Sequence, residues 1–328
     1  MKKLLTVLLT LLVIFTVAGC SGNGQGTPDG GDGNKDEKFT VGVVQLVQHP
    51  ALDAATQGFV DVLRAEFGEN VDIDVQNGSG DSATCATIVT GFVNNSVDLI
   101  MANATPALQA ASSATGDIPI LGTSVTEYGV ALGIDNFNGV VGGNVSGTSD
   151  LAPLDQQAQM FLDLLPEVKT VGIIYCSNEA NSIYQVQVVK QYLEDKGLTV
   201  IDKSFTDSND IAMVAEDVCS QVDALFLPTD NAVASCAETI ANVVVEKKIP
   251  AIAGEEGVCA SCGIATLSIN YYDLGVETGK MAVKVLKGEA DISTLAIQYF
   301  PDPVKKYNAE LCELFGVEVP EGFVAIEN

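Results

Sequence analysis

The sequence predicts an α/β protein of two lobes, in which each lobe is a parallel sheet flanked by helices. Short apolar, β-branched runs alternate along the chain with segments of helical apolar spacing, which is typical of parallel sheets. A series of motifs also occurs twice in the same order, which indicates a duplicated lobe. The matching pairs are Val41–Gln45 with Val171–Tyr175, Asp98–Pro106 with Asp223–Asn231, and Pro119–Gly122 with Pro250–Gly254.

The first lobe is predicted to open with a strand at Phe39–Leu46, where apolar and β-branched residues predominate. A helix follows from Pro50 to Phe67 with apolar residues at helical spacing, and Gly68 ends it. Thr105 and Pro106 open a later helix, since proline is tolerated in a first turn. The other predicted elements are strand Val71–Val75, helix Ser82–Asn94, strand Asp98–Ala102 and strand Pro119–Gly122.

The second lobe is predicted to repeat this order after a glycine-rich connection, Gly139–Ser149, which suits a chain that must cross and bend. Its clearest feature is Asp223–Asn231, where a buried strand ends at Pro228 and a helix begins after Asn231. Open α/β sheets bind ligands at such junctions of strand ends and helix N-termini. Helices are predicted at Ser182–Asp195, Asp210–Ser220 and Asn308–Phe315, and strands from Leu198 and at Leu295–Phe300. After Asn270–Leu274, an amphipathic helix is predicted to run through Leu286 and to end at Gly288.

The N-terminus predicts a lipoprotein signal. Lys2 and Lys3 precede an apolar run, and small residues come directly before Cys20. This ending resembles the bacterial lipobox, so we expect residues 1–19 to be a signal peptide and Cys20 to carry the lipid. An ordinary secretory signal with an incidental cysteine is the alternative. Residues 20–38 are rich in Gly, Asn and Asp and predict a flexible tether.

Charge and cysteine content exclude several classes of partner. The formal net charge is −27, and a polyanion repels nucleic-acid phosphates.

Seven cysteines follow Cys20, mostly in apolar patterns, so we expect most of them to be small core residues. Because seven is odd, we also expect an unpaired thiol, which favours a reducing, anaerobic habitat. Cys259 and Cys262 lack further ligands, since His49 is the single histidine, and no metal site is predicted. A local disulfide or two free thiols remain open for this pair.

Several motifs together resemble the ABC transporter substrate-binding lipoproteins associated with tryptophan and other aromatic amino acids. The resemblance covers residues 39–328 and depends on the order of the motifs. One departure is Cys176, which stands where the resemblance leads us to expect a small polar residue. The motifs are Ala104–Ala107, Asn144–Ser149, Glu179–Ser182, Pro228–Asn231 and Tyr271–Gly275, together with the lipobox and the doubled lobes.

The resemblance implies the type 1 periplasmic-binding fold, in which two lobes joined by three hinge strands close over a ligand. It implies a first lobe of residues 39–145 plus about 270–298, and a second lobe of 146–269 plus about 299–328. It also implies ABC permease subunits as partners. We expect a monomer without a cofactor, outside the cytoplasm and anchored by lipid to the cell membrane of a Gram-positive anaerobe.

The basic residues narrow the ligand class. The single arginine, Arg64, lies mid-helix, and no lysine falls at a predicted strand end. Phosphates and dicarboxylates normally meet Arg or Lys, so they are disfavoured. A zwitterion fits better, with Asp230 as the acceptor for an ammonium group and Glu255 as the second choice. Helix N-termini and hydroxyls would hold its carboxylate, at Thr105, Ser124, Asn181 and Ser182.

Other residues are predicted to complete the site. Thr229 and Asn231 flank Asp230, while Tyr271 and Tyr128 are candidates for stacking on an apolar part of the ligand. His49, at the end of the first strand's loop, is a further candidate for ligand contact. Structural alternatives stay open, because Asp230 and Thr105 could be ordinary helix caps and Glu255 could belong to a solvated turn.

These observations predict a membrane-tethered receptor that delivers an amino acid, aromatic such as tryptophan, phenylalanine or tyrosine, to an ABC importer. A receptor for a nucleoside or a branched-chain amino acid, or a ligand-sensing module for a signalling partner, is the alternative. A hydrolase is disfavoured, since one histidine and no Gly-x-Ser-x-Gly motif supply no triad. A thiol redox enzyme is disfavoured because Cys259 and Cys262 do not open a helix after the first strand of a lobe.

Overall fold

The computed structural model of the 328-residue chain describes residues 38–300 and 303–327. The predicted signal peptide, the lipidation site Cys20 and the predicted tether up to residue 37 lie outside the described residues, so these remain predictions. None of the helices in the described ranges combines the length and apolar character needed to cross a membrane.

The first sheet contains six parallel strands, five of them from the N-terminal half of the chain. Its strand order is β11-β5-β4-β3-β1-β2, with helices on both faces. The elements of this part are β1 (Phe39–Gln45), α1 (Pro50–Phe67), β2 (Val71–Asn77), α2 (Ser82–Asn94), β3 (Leu99–Asn103), α3 (Thr105–Ala114), β4 (Ile120–Val125), α4 (Tyr128–Leu132), β5 (Val145–Ser149) and, much later, α11 (Tyr271–Leu286) and β11 (Gln298–Tyr299).

The second sheet contains seven strands in the order β13-β12-β10-β9-β8-β6-β7. All its pairings are parallel except that of β12 with β10. Its elements are α5 (Leu154–Leu164), β6 (Thr170–Cys176), α6 (Ala180–Asp195), β7 (Thr199–Phe205), α7 (Ile211–Cys219), β8 (Ala224–Leu227), α8 (Asn231–Ser235), α9 (Ala237–Lys247), β9 (Ala251–Ala253), α10 (Glu256–Cys262), β10 (Ala265–Ser268), β12 (Val304–Tyr307), α12 (Ala309–Phe315) and β13 (Val324–Ala325). The predicted fold of two sheets flanked by helices is confirmed.

The chain crosses between the lobes three times, after β5, between β10 and α11, and between β11 and β12. The first crossing follows Ser149, because β5 pairs with β4 of the first sheet up to that residue. The sequence had placed this boundary at residue 145.

Glycines return α11 to the first lobe. A Cβ at Gly275 would lie 1.9 Å from the Ala55 carbonyl oxygen, and one at Gly58 would lie 2.2 Å from the Tyr272 carbonyl oxygen. The backbones of α1 and α11 therefore approach more closely than any side chain would allow. This contact fixes the start of α11, and with it Tyr271, at the second crossing.

Candidate functional site

A cavity lies between the lobes, where the carboxyl ends of strands from both sheets face each other. In this closed arrangement its free volume is about 10 Å³, roughly the room for one water molecule, so the lobes must spread to admit a larger ligand. Parallel sheets place ligand sites at this edge because helix N-termini and strand ends meet there. The lining residues are His49, Leu52, Ser124, Thr126, Asp150, Asn181, Thr229, Asp230, Asn231, Ala234, Glu255 and Tyr271.

Asp230 is buried at the end of β8 and caps helix α8. One carboxylate oxygen accepts the Val233 N–H at 2.9 Å, and the other accepts the Cys176 N–H at 2.6 Å. The Ser182 hydroxyl is a further donor. Burial, followed by repulsion from Glu179, raises the pKa of Asp230. Asp230 is therefore both a helix cap and a wall of the cavity, and its role toward a ligand stays a prediction.

Glu179 holds the opening of α8 from the side. Its carboxylate accepts the Asn231 N–H at 3.1 Å, the Asn231 amide at 2.6 Å and the Ala232 N–H at 2.9 Å. The Asn181 amide donates to it as well, at 3.1 Å. Sequence reasoning assigned no role to Glu179, although it quoted the segment that contains it. The consequence is a fixed orientation for Asn231.

Glu255 caps α10 in the same manner as Asp230 caps α8. Its two oxygens accept the Gly257 N–H at 2.7 Å and the Val258 N–H at 2.6 Å. The side chain is buried, so the alternative of a solvated turn does not describe it. Burial raises the pKa of Glu255, and the nearby His49 opposes that rise.

Asp150 is a cavity residue that sequence reasoning missed. It follows β5 at the first crossing and is 5% exposed. The Tyr271 hydroxyl donates to its Oδ2 at 2.9 Å, and the Thr126 hydroxyl is a second neighbour. Burial raises the pKa of Asp150 to about 6. The pair joins two crossings, because Tyr271 begins α11.

Three polar atoms on the cavity wall have no hydrogen-bond partner among the described residues. They are Ser124 Oγ, Asp150 Oδ1 and Asn181 Oδ1. Buried polar groups without a partner are uncommon in folded proteins. The three residues come from both lobes and the first crossing, and their unpartnered atoms are available to hydrogen bond with a polar ligand. Ser124 also has a left-handed φ of 53° at the end of β4, a backbone strain of the kind found at ligand sites.

The lobes touch through a pair of side chains that both line the cavity. His49 Nε2, at the start of α1, lies 3.3 Å from Asn231 Oδ1, at the start of α8. The Asn231 amide nitrogen donates to Glu179, so its oxygen faces His49 and Nε2 is the donor. This contact exists only when the two lobes are close together.

The cavity wall carries three carboxyl groups and no lysine or arginine. Arg64 lies elsewhere, in a surface groove beside Gln57 and Val60. A buried carboxylate without a cation is costly, which is why burial raises all three pKa values. The electrostatics therefore favour a ligand that brings a positive group.

Most of the predicted site residues meet at this cavity. Two do not line it, since Thr105 is buried at the start of α3 and Ser182 donates to Asp230 from behind. Tyr128 is also buried elsewhere, where its hydroxyl donates to the Thr148 carbonyl at 3.0 Å. The eight that line the cavity are His49, Ser124, Asn181, Thr229, Asp230, Asn231, Glu255 and Tyr271.

The cysteines take no part in this site's chemistry. All seven in the described part of the chain are free thiols, and six of them are buried. Burial raises the pKa of Cys259 and Cys262, which lowers their thiolate fraction and their reactivity. Within residues 38–300 and 303–327, no three potential metal-ligating side chains are grouped.

Solved structures with the same fold include proteins from several bacteria. An ABC domain from Streptococcus pneumoniae in complex with L-Trp is 36% identical, covers 88% of this chain and 100% of its own, and has a TM-score of 0.83. A ligand-free, open substrate-binding protein with adhesive properties from Clostridium difficile is 38% identical with 88% and 99% coverage, but its TM-score is 0.67. Sequence identity is similar in the two cases, so the lower TM-score of the open structure agrees with closed lobes in this chain.

Sequence relatives point to one family. A tyrosine-binding protein of Clostridioides difficile (strain R20291) is 36% identical over 300 residues, which cover 88% of this chain and 85% of that protein. The sequence model described as ABC transporter substrate binding protein matches residues 40–323. A match over most of the chain identifies it: this chain belongs to the family of ABC transporter substrate-binding proteins.

Proposed function

We propose that this protein is the receptor of an ABC importer for an aromatic amino acid, which it binds between its lobes. The observation that supports this most is the charge of the cavity, three carboxyl groups with no lysine or arginine. An amino acid brings an ammonium group, and one carboxylate is small enough to be held by hydroxyl and N–H donors. Ser124 supplies an unpartnered hydroxyl for it.

The apolar part of the cavity lining suits an aromatic side chain. Leu52, Ala234 and the ring of Tyr271 provide apolar surface for an aromatic ring. Two similar proteins support the aromatic class, one named for tyrosine and one solved with L-Trp.

Delivery to the importer requires tethering and docking. In this proposal a lipid on Cys20 holds the protein, as a monomer, to the outer face of the cell membrane, and residues 20–38 serve as the tether. The closed lobes present the ligand to the ABC permease subunits, and opening at the three crossings releases it.

Binding of the aromatic class is tested by thermal shift and titration calorimetry of the purified protein. L-tyrosine, L-tryptophan and L-phenylalanine are compared with leucine, valine, uridine and glucose. A ligand at 100 times its Kd stabilises the folded state by about 2.7 kcal/mol, which raises Tm by roughly 5 °C for a chain of this size. We expect this rise for at least one aromatic amino acid. A rise with uridine or valine alone would contradict the proposal.

A further inference from the structure

We infer that Asp150, and not Asp230, accepts the ammonium group of the bound ligand. The inference rests on the proposed function, because it concerns an amino acid in the cavity between the lobes. In this inference, the partner of the ammonium group lies at the first crossing. That position is outside the strand-to-helix junctions that usually bind ligands.

The hydrogen bonds of Asp230 argue against it as the primary acceptor. Both its oxygens already accept backbone N–H groups, from Cys176 and Val233, and Ser182 adds a hydroxyl. A carboxylate that caps a helix in this way loses those bonds if it turns toward a ligand. Its geometry is that of a structural acid that forms the cavity wall.

Glu255 is committed in the same way. Its two oxygens accept from Gly257 and Val258 at 2.7 and 2.6 Å. Each of the two acids favoured by the sequence thus uses both oxygens to accept backbone N–H groups, Glu255 within its own helix and Asp230 from its own helix and from the end of β6.

Asp150 differs because one of its oxygens is available. Oδ1 is buried and has no hydrogen-bond partner among the described residues, whereas Oδ2 accepts the Tyr271 hydroxyl at 2.9 Å. The Tyr271 hydroxyl holds the carboxylate through Oδ2, and the Thr126 hydroxyl is a second neutral neighbour. A carboxylate oriented by neutral donors, with one free oxygen on a cavity wall, suits a charge-assisted bond to an ammonium group.

The position of Asp150 connects ligand binding to lobe closure. It follows the last residue of β5, and its partner Tyr271 is the first residue of α11, so the pair spans two of the three crossings. An ammonium group on Asp150 neutralises a buried charge at the hinge itself. The ligand then stabilises the closed arrangement through contacts that the open form makes differently.

The test compares L-tyrosine with desaminotyrosine, which has the same ring and carboxylate but no amino group. Affinities are measured for the wild-type protein, Asp150→Asn and the matched control Asp230→Asn. Truncating one partner of a buried charge pair costs 2 kcal/mol or more, so Asp150→Asn should bind L-tyrosine roughly 30-fold more weakly or worse. Its affinity for desaminotyrosine should be unchanged or higher.

Asp230→Asn should lower Tm through its weakened cap, and it should reduce the preference for L-tyrosine over desaminotyrosine much less than Asp150→Asn does. Loss of that preference in Asp230→Asn, or its retention in Asp150→Asn, would overturn the inference. A wild-type protein that binds no aromatic amino acid would overturn both the proposed function and this inference, so the two failures are distinguishable.

A second variant covers the case in which Asp150→Asn fails to fold. Tyr271→Phe keeps the carboxylate but removes a donor that stabilises its ionised form, so the pKa of Asp150 should rise. As pH is lowered, the preference for L-tyrosine over desaminotyrosine should be lost. The midpoint of that loss should lie at a higher pH in this variant than in the wild type. Glu255 and Tyr128 also face Asp150, and they are unchanged in both proteins. An unmoved midpoint would count against Asp150.

Discussion

The contact between His49 and Asn231 predicts how long the ligand stays bound. These side chains meet across the mouth of the cavity, with Nε2 of His49 3.3 Å from Oδ1 of Asn231. Replacing His49 with alanine removes a contact that only the closed lobes make. The variant should therefore release ligand faster, because opening precedes dissociation.

The magnitude follows from the geometry of this hydrogen bond. A neutral hydrogen bond contributes about 0.5–1.5 kcal/mol net, and 3.3 Å is slightly longer than the usual N–H···O range of about 2.7–3.2 Å. We therefore expect the lower half of that energy range. At 1.4 kcal/mol per factor of ten, His49→Ala should raise the dissociation rate about 2- to 5-fold.

The ligand itself provides the assay. The chain contains no tryptophan, so the indole fluorescence of bound L-tryptophan reports the ligand alone. Rapid mixing with excess L-tyrosine gives the dissociation rate, and mixing protein with L-tryptophan gives the association rate. Most affinity changes among variants of one site occur in the dissociation rate, and we expect the same here.

A double-mutant cycle separates a lobe contact from a ligand contact. If His49 acts through Asn231, the effects of His49→Ala and Asn231→Ala on dissociation should be less than additive. Asn178→Ala is the control, since that amide donates to the Thr206 carbonyl of its own lobe. Additive effects would show that His49 contacts the ligand directly, and an unchanged dissociation rate would refute a role of the contact between His49 and Asn231 in holding the lobes closed.

Three further predictions concern the packing of helix α11, the dependence of stability on pH and the reactivity of the thiols. Gly275→Ala forces a Cβ against the α1 backbone and should destabilise the protein by about 1–3 kcal/mol. Gly91→Ala is the control, since it lies in open space within α2 and should stabilise the protein by about 0.5–1 kcal/mol. Urea unfolding measures the free energy of unfolding of both variants. The pKa of Asp150 is raised to about 6 in the folded protein from 3.8, so this group alone makes the ligand-free protein up to about 3 kcal/mol more stable as pH falls through 6 toward 4. Affinity for L-tyrosine should fall over the same range, and the paired changes are read from Tm with and without ligand. A thiol reagent should modify Cys236 first among the seven cysteines from Cys85 onward, since the other six are buried; equal rates at all seven would contradict the packing.

Local signals in the sequence predict much of the secondary structure. Helices α1 and α2 have the predicted limits because Pro50 opens one, Gly68 ends it, and Asp81 caps the other through two N–H groups. Strand β8 and the start of α8 were predicted from Asp223–Asn231, where apolar residues give way to a capping aspartate. Each of these signals acts within a few residues of the element that it determines.

The site was less predictable because its geometry depends on contacts between distant segments. Asp150 follows a strand of Val, Ser, Gly and Thr that carries no apolar pattern, and its partner Tyr271 lies 121 residues away. The duplication suggested Thr105 as the first-lobe counterpart of Asp230, but Ser124 on β4 reaches the cavity instead. Short helices such as α10 also depend on a local cap, here Glu255, more than on their own periodicity.

A crystal structure of the protein grown with L-tyrosine tests the central claim most directly. We predict one tyrosine between the lobes, with its amino nitrogen within hydrogen-bond distance of Asp150 Oδ1 and its ring against Leu52 and Ala234. The lobes should keep the contact between His49 and Asn231. Density for tyrosine outside this cavity, or a cavity filled by a compound without an amino group, would contradict the account.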